Sequence, residues 1–206
     1  MPITKEKGHF SMSKTALKSG ALLAPLPPVM VSCSDGEKDN IITIAWCGIL
    51  ATNPPTTYIS VRPTRHSYEM IKKSGEFVIN LTTEELTRTA DYCGIFTGAK
   101  VDKFEKCKLT KEKATQVACP MIGESPMSIE CRVKEVIPMG THDIFMADIL
   151  AVNVDDSLMD DAGRICLEKA HLTAYAHGEY FALGKSLGKF GFSAAKKKRK
   201  PKKNTK

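Results

Sequence analysis

The seven cysteines of this chain never occur as the C-x-x-C pairs that metal ribbons use. A zinc ribbon needs such closely spaced pairs, and a disulfide scaffold usually has an even number of cysteines. The spacing therefore argues against both classes and predicts reduced, largely buried thiols. These cysteines are Cys33, Cys47, Cys93, Cys107, Cys119, Cys131 and Cys166.

A long apolar run is also missing. The most apolar stretch, residues 20–31, is interrupted by Pro25, Pro27 and Pro28, and the N-terminal residues are polar. A membrane-spanning helix needs about 20 predominantly apolar residues, and a secretory signal needs an apolar core. The sequence therefore predicts a soluble, cytoplasmic protein that does not cross a membrane.

Several common site motifs are absent. His9, His171 and His177 are too dispersed to predict a metal triad. Residues 178–186 end in Gly-Lys-Ser, but five residues separate the two glycines where a phosphate-binding P-loop has four. The acidic pairs within residues 155–161 lack the alternating oxygen ligands and closing glutamate of a calcium loop. No metal site is predicted.

The net charge of +7 comes from one end of the chain. Residues 196–206 contain eight lysines or arginines and no acidic residue, which leaves 22 basic and 23 acidic residues elsewhere. We interpret this run as a disordered, solubilising tail behind a domain at residues 1–195. The alternative is an arm that docks nucleic acid or an acidic partner, although phosphate contacts alone bind weakly.

Many short β-branched segments predict a mainly β protein, a barrel with helical additions. The polar turn at residues 34–39 predicts a hairpin between its flanking strands. Thr82 and Glu85 predict a capping box, Gly75 predicts a helix stop, and residues 94–115 look irregular. Strands are predicted at 28–33, 40–46, 57–62, 76–81, 128–134, 144–154 and 175–181, and helices at 67–73 and from 82 toward 93.

Phosphate-seeking side chains follow the third predicted strand. Six of them lie within eight residues: Ser60, Arg62, Thr64, Arg65, His66 and Ser67. Guanidinium groups bind phosphate bidentately, and hydroxyls and a helix N-terminus complete such a site. One strand earlier, residues 43–48 lead into a loop with small residues that contains Asn53, and small side chains let backbone groups approach a flat ring. This arrangement predicts a nucleotide-type cofactor site built on a sheet.

In several segments taken in order, the chain resembles the flavin reductase-like, FMN-binding split-barrel family, and in particular its flavoredoxin-type branch. The resemblance covers about residues 20–193. It implies an FMN-binding split β-barrel of the Greek-key type with short peripheral helices. The segments that carry it are residues 40–46, 53–55, 59–67, 76–80, 103–104, 129–131, 140–142 and 188–192.

The family resemblance also implies roles for single residues. The ring of FMN would lie against Thr43, Ala45, Trp46, Cys47 and Gly48, with Asn53 in the following turn. The ribityl-phosphate end would be held by Ser60, Arg62, Arg65, His66 and Ser67, with Lys103 near the flavin. His142 would be the catalytic candidate, beside the ring where nicotinamide can stack. A homodimer is implied.

The expected function is an FMN-dependent oxidoreductase that transfers electrons from NAD(P)H or a reduced protein partner to an acceptor. The acceptor is a small molecule, such as free flavin or a ferric complex, or another protein. One alternative is a flavin reductase that supplies free reduced flavin to a monooxygenase. Another is a non-enzymatic binding protein that docks through its basic tail. The residues do not decide among the donors and acceptors.

Overall fold

The computed structural model describes residues 13–194. The predicted basic tail at residues 196–206 lies outside this range. Within it, no helix combines the length and apolar character needed to cross a membrane. All seven cysteines are in the described range, and each is a free thiol.

The secondary structure is mainly β with short helices, as predicted. The strands are Val29–Ser34 (β1), Asp39–Ile44 (β2), Cys47–Thr52 (β3), Pro55–Val61 (β4), Glu76–Leu81 (β5), Lys111–Glu112 (β6), Met121–Ile122 (β7), Met127–Pro138 (β8), Asp143–Val154 (β9), Thr173–Ala176 (β10) and Glu179–Ala182 (β11). The α-helices are His66–Ser74 (α1), Thr87–Ile95 (α2) and Lys103–Cys107 (α3). Short 3₁₀ turns lie at Asp156–Leu158, Leu167–Lys169 and Phe192–Ala194.

Seven strands form one antiparallel sheet in the order β2-β1-β5-β8-β9-β4-β3. The two edge strands, β2 and β3, are consecutive in the chain, and only Ala45 and Trp46 separate them. Such a short connection requires the sheet to curl until its two edges approach each other. The Ala45–Trp46 bend therefore marks the seam of a barrel. Separate hairpins, β6–β7 and β10–β11, pack outside this sheet.

Two main apolar clusters hold the fold together. The larger fills the barrel interior and includes Phe77 and Phe145, both fully buried. The second lies outside β1 and β2, where Met30 and Ile41 pack against α2 and α3. Because β1 contributes buried residues to both clusters, its sequence is continuously apolar from Val29 to Val31. Helix α2 is thereby fixed beside the seam.

The predicted hairpin and helix stop are confirmed. Strand β1 pairs with β2 across the turn, with Cys33 opposite Asn40. Helix α1 ends at Gly75, whose backbone is left-handed (φ 70°) and whose N–H donates to the carbonyl of Ile71 at 2.8 Å. Glycine adopts this conformation without steric cost, which is why it stops the helix here. The predicted turn before β9 is closed by the Met139 N–H, which donates to the His142 carbonyl.

The prediction of a loop after the second strand is wrong. Residues Cys47–Thr52 form β3, which pairs with β4 along its length. The pairing register shifts between Ile49 and Ala51. Because this irregularity breaks the two-residue alternation, the strand leaves no clear pattern in the sequence.

The predicted capping box is also wrong. The Thr82 carbonyl accepts a hydrogen bond from the Thr173 N–H at 3.1 Å. Thr82 is therefore paired with β10 and does not begin the helix. The turn is instead capped by Thr83, whose hydroxyl accepts from the Leu86 N–H at 3.2 Å. Helix α2 therefore begins only at Thr87. The start of the helix is later than predicted because Thr82 pairs with Thr173 of the distant strand β10, which the local sequence does not reveal.

Two further segments differ from the prediction. The stretch at residues 94–115 contains α3, whose first turn is capped by the Asp102 carboxylate accepting from the Glu105 N–H at 3.1 Å. The single strand predicted at residues 175–181 is a hairpin, β10–β11, that turns at His177 and Gly178. Both turn residues have positive φ, 51° and 91°. Glycine and histidine are both enriched at positive φ, so the pair at residues 177–178 is compatible with the turn that divides the predicted strand.

Candidate functional site

A cavity of about 410 Å³ lies at the barrel seam. One wall is the end of β2 and the Ala45–Trp46 bend, and the opposite wall comes from α2 and the β10–β11 hairpin. Its lining residues are Pro28, Ile42, Thr43, Ile44, Ala45, Trp46, Ser60, Val61, Arg62, Arg65, Asp91, Gly94, Ile95, His142, Tyr175 and Tyr180. We call it the larger cavity. Its mixture of apolar, aromatic and cationic groups suits a flat, polar-edged ligand.

A second cavity of about 80 Å³ adjoins the first. The two share Ile42, Arg65 and Gly94 in their linings. The remaining lining residues of this smaller cavity are Asn40, Thr64, His66, Ser67, Cys93, Phe96, Thr97, Gly98 and Lys103. Because the linings are continuous, one elongated ligand can reach into both cavities.

The smaller cavity is built to receive an anion. It lies at the N-terminus of α1, a helix of nine residues whose N-cap residue, Arg65, makes no side-chain capping bond. The first backbone N–H groups of a helix lack intrahelical partners and carry a partial positive charge. The exposed guanidinium of Arg65 and the side chains of Thr64 and His66 lie at the same place. These groups together match the donors that bind phosphate.

Asn40 and Gly98 shape the wall of the smaller cavity. The Asn40 amide donates to the Ser67 hydroxyl at 2.8 Å, and its Oδ1 is buried with no hydrogen-bond partner in the described part of the chain. A Cβ atom at Gly98 would come within 2.2 Å of that oxygen, so only glycine fits here. A ligand that carries hydroxyl donors would satisfy the buried oxygen.

The bend at Trp46 presents a flat surface to the larger cavity. The Ser60 N–H donates to the Trp46 carbonyl at 2.9 Å and fixes the bend against β4. The indole is 40% exposed and lies against the His142 imidazole, with ring centroids 4.6 Å apart and planes tilted by 43°. Nearby, the Thr43 hydroxyl donates to the Ala90 carbonyl and ties β2 to α2.

His142 is held by two polar contacts. The Arg62 Nε donates to its Nε2 at 3.2 Å, and the Thr141 hydroxyl lies 3.0 Å from its Nδ1. Since Nε2 accepts, this network assigns the imidazole proton to Nδ1. Burial, followed by the positive charges of Arg62 and Arg65, lowers the pKa of His142. The imidazole is therefore neutral at physiological pH.

We expect Arg62→Gln to raise the pKa of His142. The change removes one of the two cationic groups that oppose protonation, while Arg65 and the Asp91 carboxylate, which also line the cavity, stay in place. The imidazole resonances in a heteronuclear NMR titration report the pKa directly. Arg88→Gln, which changes an exposed arginine outside both cavities, is the control. An unchanged pKa in Arg62→Gln would show that this charge does not act on the ring.

Lys103 lines the smaller cavity, but its ammonium group faces the protein backbone. Its Nζ donates to the carbonyls of Ile41 and of Cys93, the latter at 2.8 Å. Burial lowers the pKa of Lys103, and the two carbonyls accept from two of its three N–H donors. This side chain therefore fastens α2 and α3 to β2. Lys103, which was predicted to lie near the cofactor, lines the smaller cavity, but its charge faces backbone carbonyls in the cavity wall.

The structure brings together ten of the thirteen residues selected from the sequence. They are Thr43, Ala45, Trp46, Ser60, Arg62, Arg65, His66, Ser67, Lys103 and His142. Cys47, Gly48 and Asn53 line neither cavity. The cause is β3: its pairing directs the Cys47 thiol toward the Pro27 carbonyl at 3.9 Å and places Gly48 against the Tyr58 ring. Asn53 lies exposed in the turn that follows.

Other lining residues were missed because they come from distant segments. Asp91 and Ile95 lie on α2, and Tyr175 and Tyr180 on the β10–β11 hairpin. The Tyr180 hydroxyl donates to Asp91 Oδ1 at 3.4 Å, and burial together with this carboxylate raises the pKa of Tyr180 to about 12. Only Gly94 and Gly98 left a signal, because glycines in an irregular stretch often mark a close approach to a ligand.

Comparisons with known proteins bear on this site. A family model described as a flavin reductase like domain matches residues 23–184. The solved structure of flavoredoxin from Desulfovibrio vulgaris (Miyazaki F) matches with a TM-score of 0.83 and 32% identity, and the match covers 89% of this chain and 100% of that protein. These matches confirm the resemblance and the split-barrel fold predicted from it.

Two known proteins are related to this chain in sequence. An uncharacterised protein of Archaeoglobus fulgidus is 33% identical over 138 residues, which is 67% of this chain and 77% of that protein. The FMN reductase (NADH) RutF 2 of Rhizobium rhizogenes is 24% identical over 112 residues, 54% of this chain and 62% of that protein. The range matched by the family model contains every residue that lines the two cavities.

Proposed function

This chain belongs to the flavin reductase-like family, and from that membership and its paired cavities we infer that it is an FMN-dependent oxidoreductase. One observation supports this most directly. The smaller cavity, at the N-terminus of α1, has the donors of an anion site, and it adjoins the larger cavity, which has an aromatic wall. Arg65 lines both cavities. Riboflavin 5′-phosphate has a flat ring at one end and a phosphate at the other, so it matches this pair of cavities.

The residues present fit the cofactor. Arg65, His66 and Ser67, with the N-terminus of α1, would hold the phosphate. The hydroxyls of the ribityl chain are donors, and they would satisfy the buried Asn40 Oδ1. Thr43, Ala45, Trp46 and Ser60 line the larger cavity, where the ring would lie.

Bound FMN supplies the redox chemistry, because it accepts electrons from a donor and passes them to an acceptor. The chain binds and orients it: the Trp46–His142 pair forms a wall, and the neutral imidazole adds no charge there. We propose NAD(P)H or a reduced protein partner as the donor, and a small molecule or protein as the acceptor. The name of the Rhizobium relative, an NADH-dependent FMN reductase, favours a nicotinamide donor.

We also propose that the protein acts as a homodimer. Strand β3 is a sheet edge, and Ile49 and Leu50 on it are 63% and 51% exposed. Exposed apolar side chains on an open edge strand favour association with another surface. We place the redox function in residues 1–195, so deletion of residues 196–206 is expected to leave NAD(P)H oxidation unchanged.

The proposed function is tested by adding FMN to the purified full-length protein. Quenching of flavin fluorescence gives the dissociation constant, and NADH and NADPH are then added separately while the flavin absorbance is followed. We expect saturable FMN binding and bleaching by at least one of the two donors. A protein that takes up no FMN would overturn the proposal.

A flavin reductase that releases reduced flavin to a monooxygenase is the second candidate. The exposure of Trp46 favours it, because a ring seated beside this residue could exchange with solvent. The two functions differ in retention of FMN. Cofactor that stays with the protein through gel filtration argues for electron transfer by a resident flavin, whereas complete loss argues for release.

A further inference from the structure

We propose that Arg62, positioned by His142, forms a second anion-binding subsite in the larger cavity, distinct from the one that holds the cofactor phosphate. It binds a carboxylate or phosphate group of the molecule that exchanges electrons with FMN. The identity of that molecule rests on the proposed function, but the subsite itself can be measured without any turnover.

The two arginines of this segment serve different cavities. Arg65 lines both cavities, whereas Arg62 lines only the larger one. Arg62 directly follows the last residue of β4, and a turn closed by the Arg65 N–H donating to the Arg62 carbonyl at 3.0 Å separates them. The sequence suggested that both guanidiniums hold one phosphate. In the fold, Arg62 does not line the smaller cavity at the N-terminus of α1.

His142 fixes the direction of the Arg62 guanidinium. Its Nε2 accepts from the Arg62 Nε at 3.2 Å, and the imidazole is itself held by Trp46 and Thr141. The two terminal nitrogens of Arg62 have no hydrogen-bond partner among residues 13–194. A guanidinium anchored through Nε presents its remaining N–H groups to an anion with two neighbouring oxygens.

No carboxylate of the described residues pairs with Arg62 in the larger cavity. Arg62 and Arg65 line the larger cavity with a single carboxylate, Asp91, which accepts from the Tyr180 hydroxyl at 3.4 Å. His142 is neutral, and no ion pair of the described residues involves Arg62. With Arg65 engaged by the cofactor phosphate, Arg62 still presents terminal N–H groups that no described residue pairs.

Two sources can supply such an anion. A nicotinamide dinucleotide donor carries a diphosphate, and a small acceptor such as a chelated metal carries carboxylates. Inorganic pyrophosphate and citrate serve as probes for the two. The tighter probe identifies the source, and binding of either one at Arg62 supports the subsite.

The test is calorimetric titration of each probe into the FMN-saturated protein, so that the smaller cavity is already filled. We expect Arg62→Gln to weaken probe binding at least tenfold and to change FMN affinity less than threefold. Arg88→Gln, which alters an exposed arginine elsewhere, should leave both values unchanged. The proposal is overturned if neither probe binds, if Arg62→Gln binds it normally, or if Arg62→Gln loses FMN as severely as Arg65→Gln.

The role of His142 is tested by two substitutions. In His142→Gln the amide oxygen can still accept from Arg62 Nε, whereas His142→Ala removes the acceptor. We expect the alanine variant to weaken probe binding several-fold and the glutamine variant to restore it to within twofold. Equal binding by both variants would remove His142 as a positioning residue.

Failure of this subsite and failure of the proposed function give different results. If the protein takes up no FMN, pyrophosphate is titrated into the cofactor-free Arg65→Gln variant, whose smaller cavity lacks its guanidinium. The fluorescence of Trp46, the single tryptophan of the chain, then reports an anion arriving near its His142 partner. A response that disappears in Arg62→Gln/Arg65→Gln supports the subsite, and a response that persists overturns it.

Discussion

Arg65→Ala is expected to weaken FMN binding about 10- to 100-fold. A hydrogen bond to a charged group contributes about 1.5–3 kcal/mol, and Arg65 supplies the guanidinium at the junction of the two cavities. The side chain is exposed and does not cap α1, so its removal leaves no buried group without a partner. We therefore expect unchanged thermal stability of the cofactor-free protein.

Fluorescence titration with FMN measures this effect at low ionic strength, where exposed charges are least screened. Arg88→Ala is the matched control, because Arg88 is an exposed arginine on the neighbouring helix α2 and lines neither cavity. Riboflavin, which lacks the phosphate, should bind the wild type and Arg65→Ala equally. Undiminished FMN affinity in Arg65→Ala would remove this residue from the phosphate site.

Glu130→Ala should cause the largest loss of stability among single substitutions of charged side chains on β8. Glu130 is fully buried, and its carboxylate accepts from the Thr115 and Val117 N–H groups at 2.9 and 3.2 Å. It also accepts from the Gln116 N–H, the Thr115 hydroxyl and the Asn153 amide. Removing the carboxylate leaves the buried Val117 N–H and the four partly buried donors without their acceptor, which costs about 3–5 kcal/mol in total.

The same carboxylate makes stability depend on pH. Burial alone would raise the pKa of Glu130, but the hydrogen bonds from Thr115, Gln116 and Asn153 outweigh it and lower the pKa. A carboxyl group whose pKa is lower in the folded state stabilises the protein above its unfolded pKa, about 4.3. That contribution disappears as the pH falls through the folded value. Acid should therefore destabilise the wild type more than Glu130→Gln.

Thermal unfolding of the cofactor-free protein checks both effects. For a chain of this size, the expected loss lowers the melting temperature by about 10 °C. Glu135→Ala is the control, since Glu135 lies on the same strand with an exposed side chain, and its melting temperature should stay within about 2 °C of the wild type. A melting temperature of Glu130→Ala equal to that of Glu135→Ala would contradict the proposed role.

Strands with continuous or alternating apolar residues were predictable because burial selects those residue types locally. β1, β2, β5 and β9 follow the predicted ranges within about two residues. β3 was not predicted, because its register shift removes the alternation that marks a half-buried strand. The start of helix α2 was not predictable for a different reason: Thr173, 91 residues away, pairs with Thr82.

At Glu130 the predicted alternation of faces is right, but the side chain is buried where its polarity suggests exposure. The alternation along β8 correctly assigns Ile129 and Glu130 to opposite faces, and polarity suggests that the second face meets water. The loop at residues 115–117 covers that face at Glu130 and supplies backbone donors to its carboxylate. A buried charge of this kind needs partners that only the folded chain provides.

The amino-acid order is enough to establish a mainly β protein with a phosphate-seeking segment, because strand periodicity and the crowding of Arg62, Arg65, His66 and Ser67 are local properties. Which of these groups share a cavity depends on chain closure. Curling of the sheet brings Trp46 to His142 and α2 to β2, and turns the Cys47 thiol toward the Pro27 carbonyl. It also leaves Arg62 in the larger cavity alone, while Arg65 lines both cavities. Contacts between segments tens of residues apart arise only when strands pair and the barrel closes, so no short stretch of sequence encodes them.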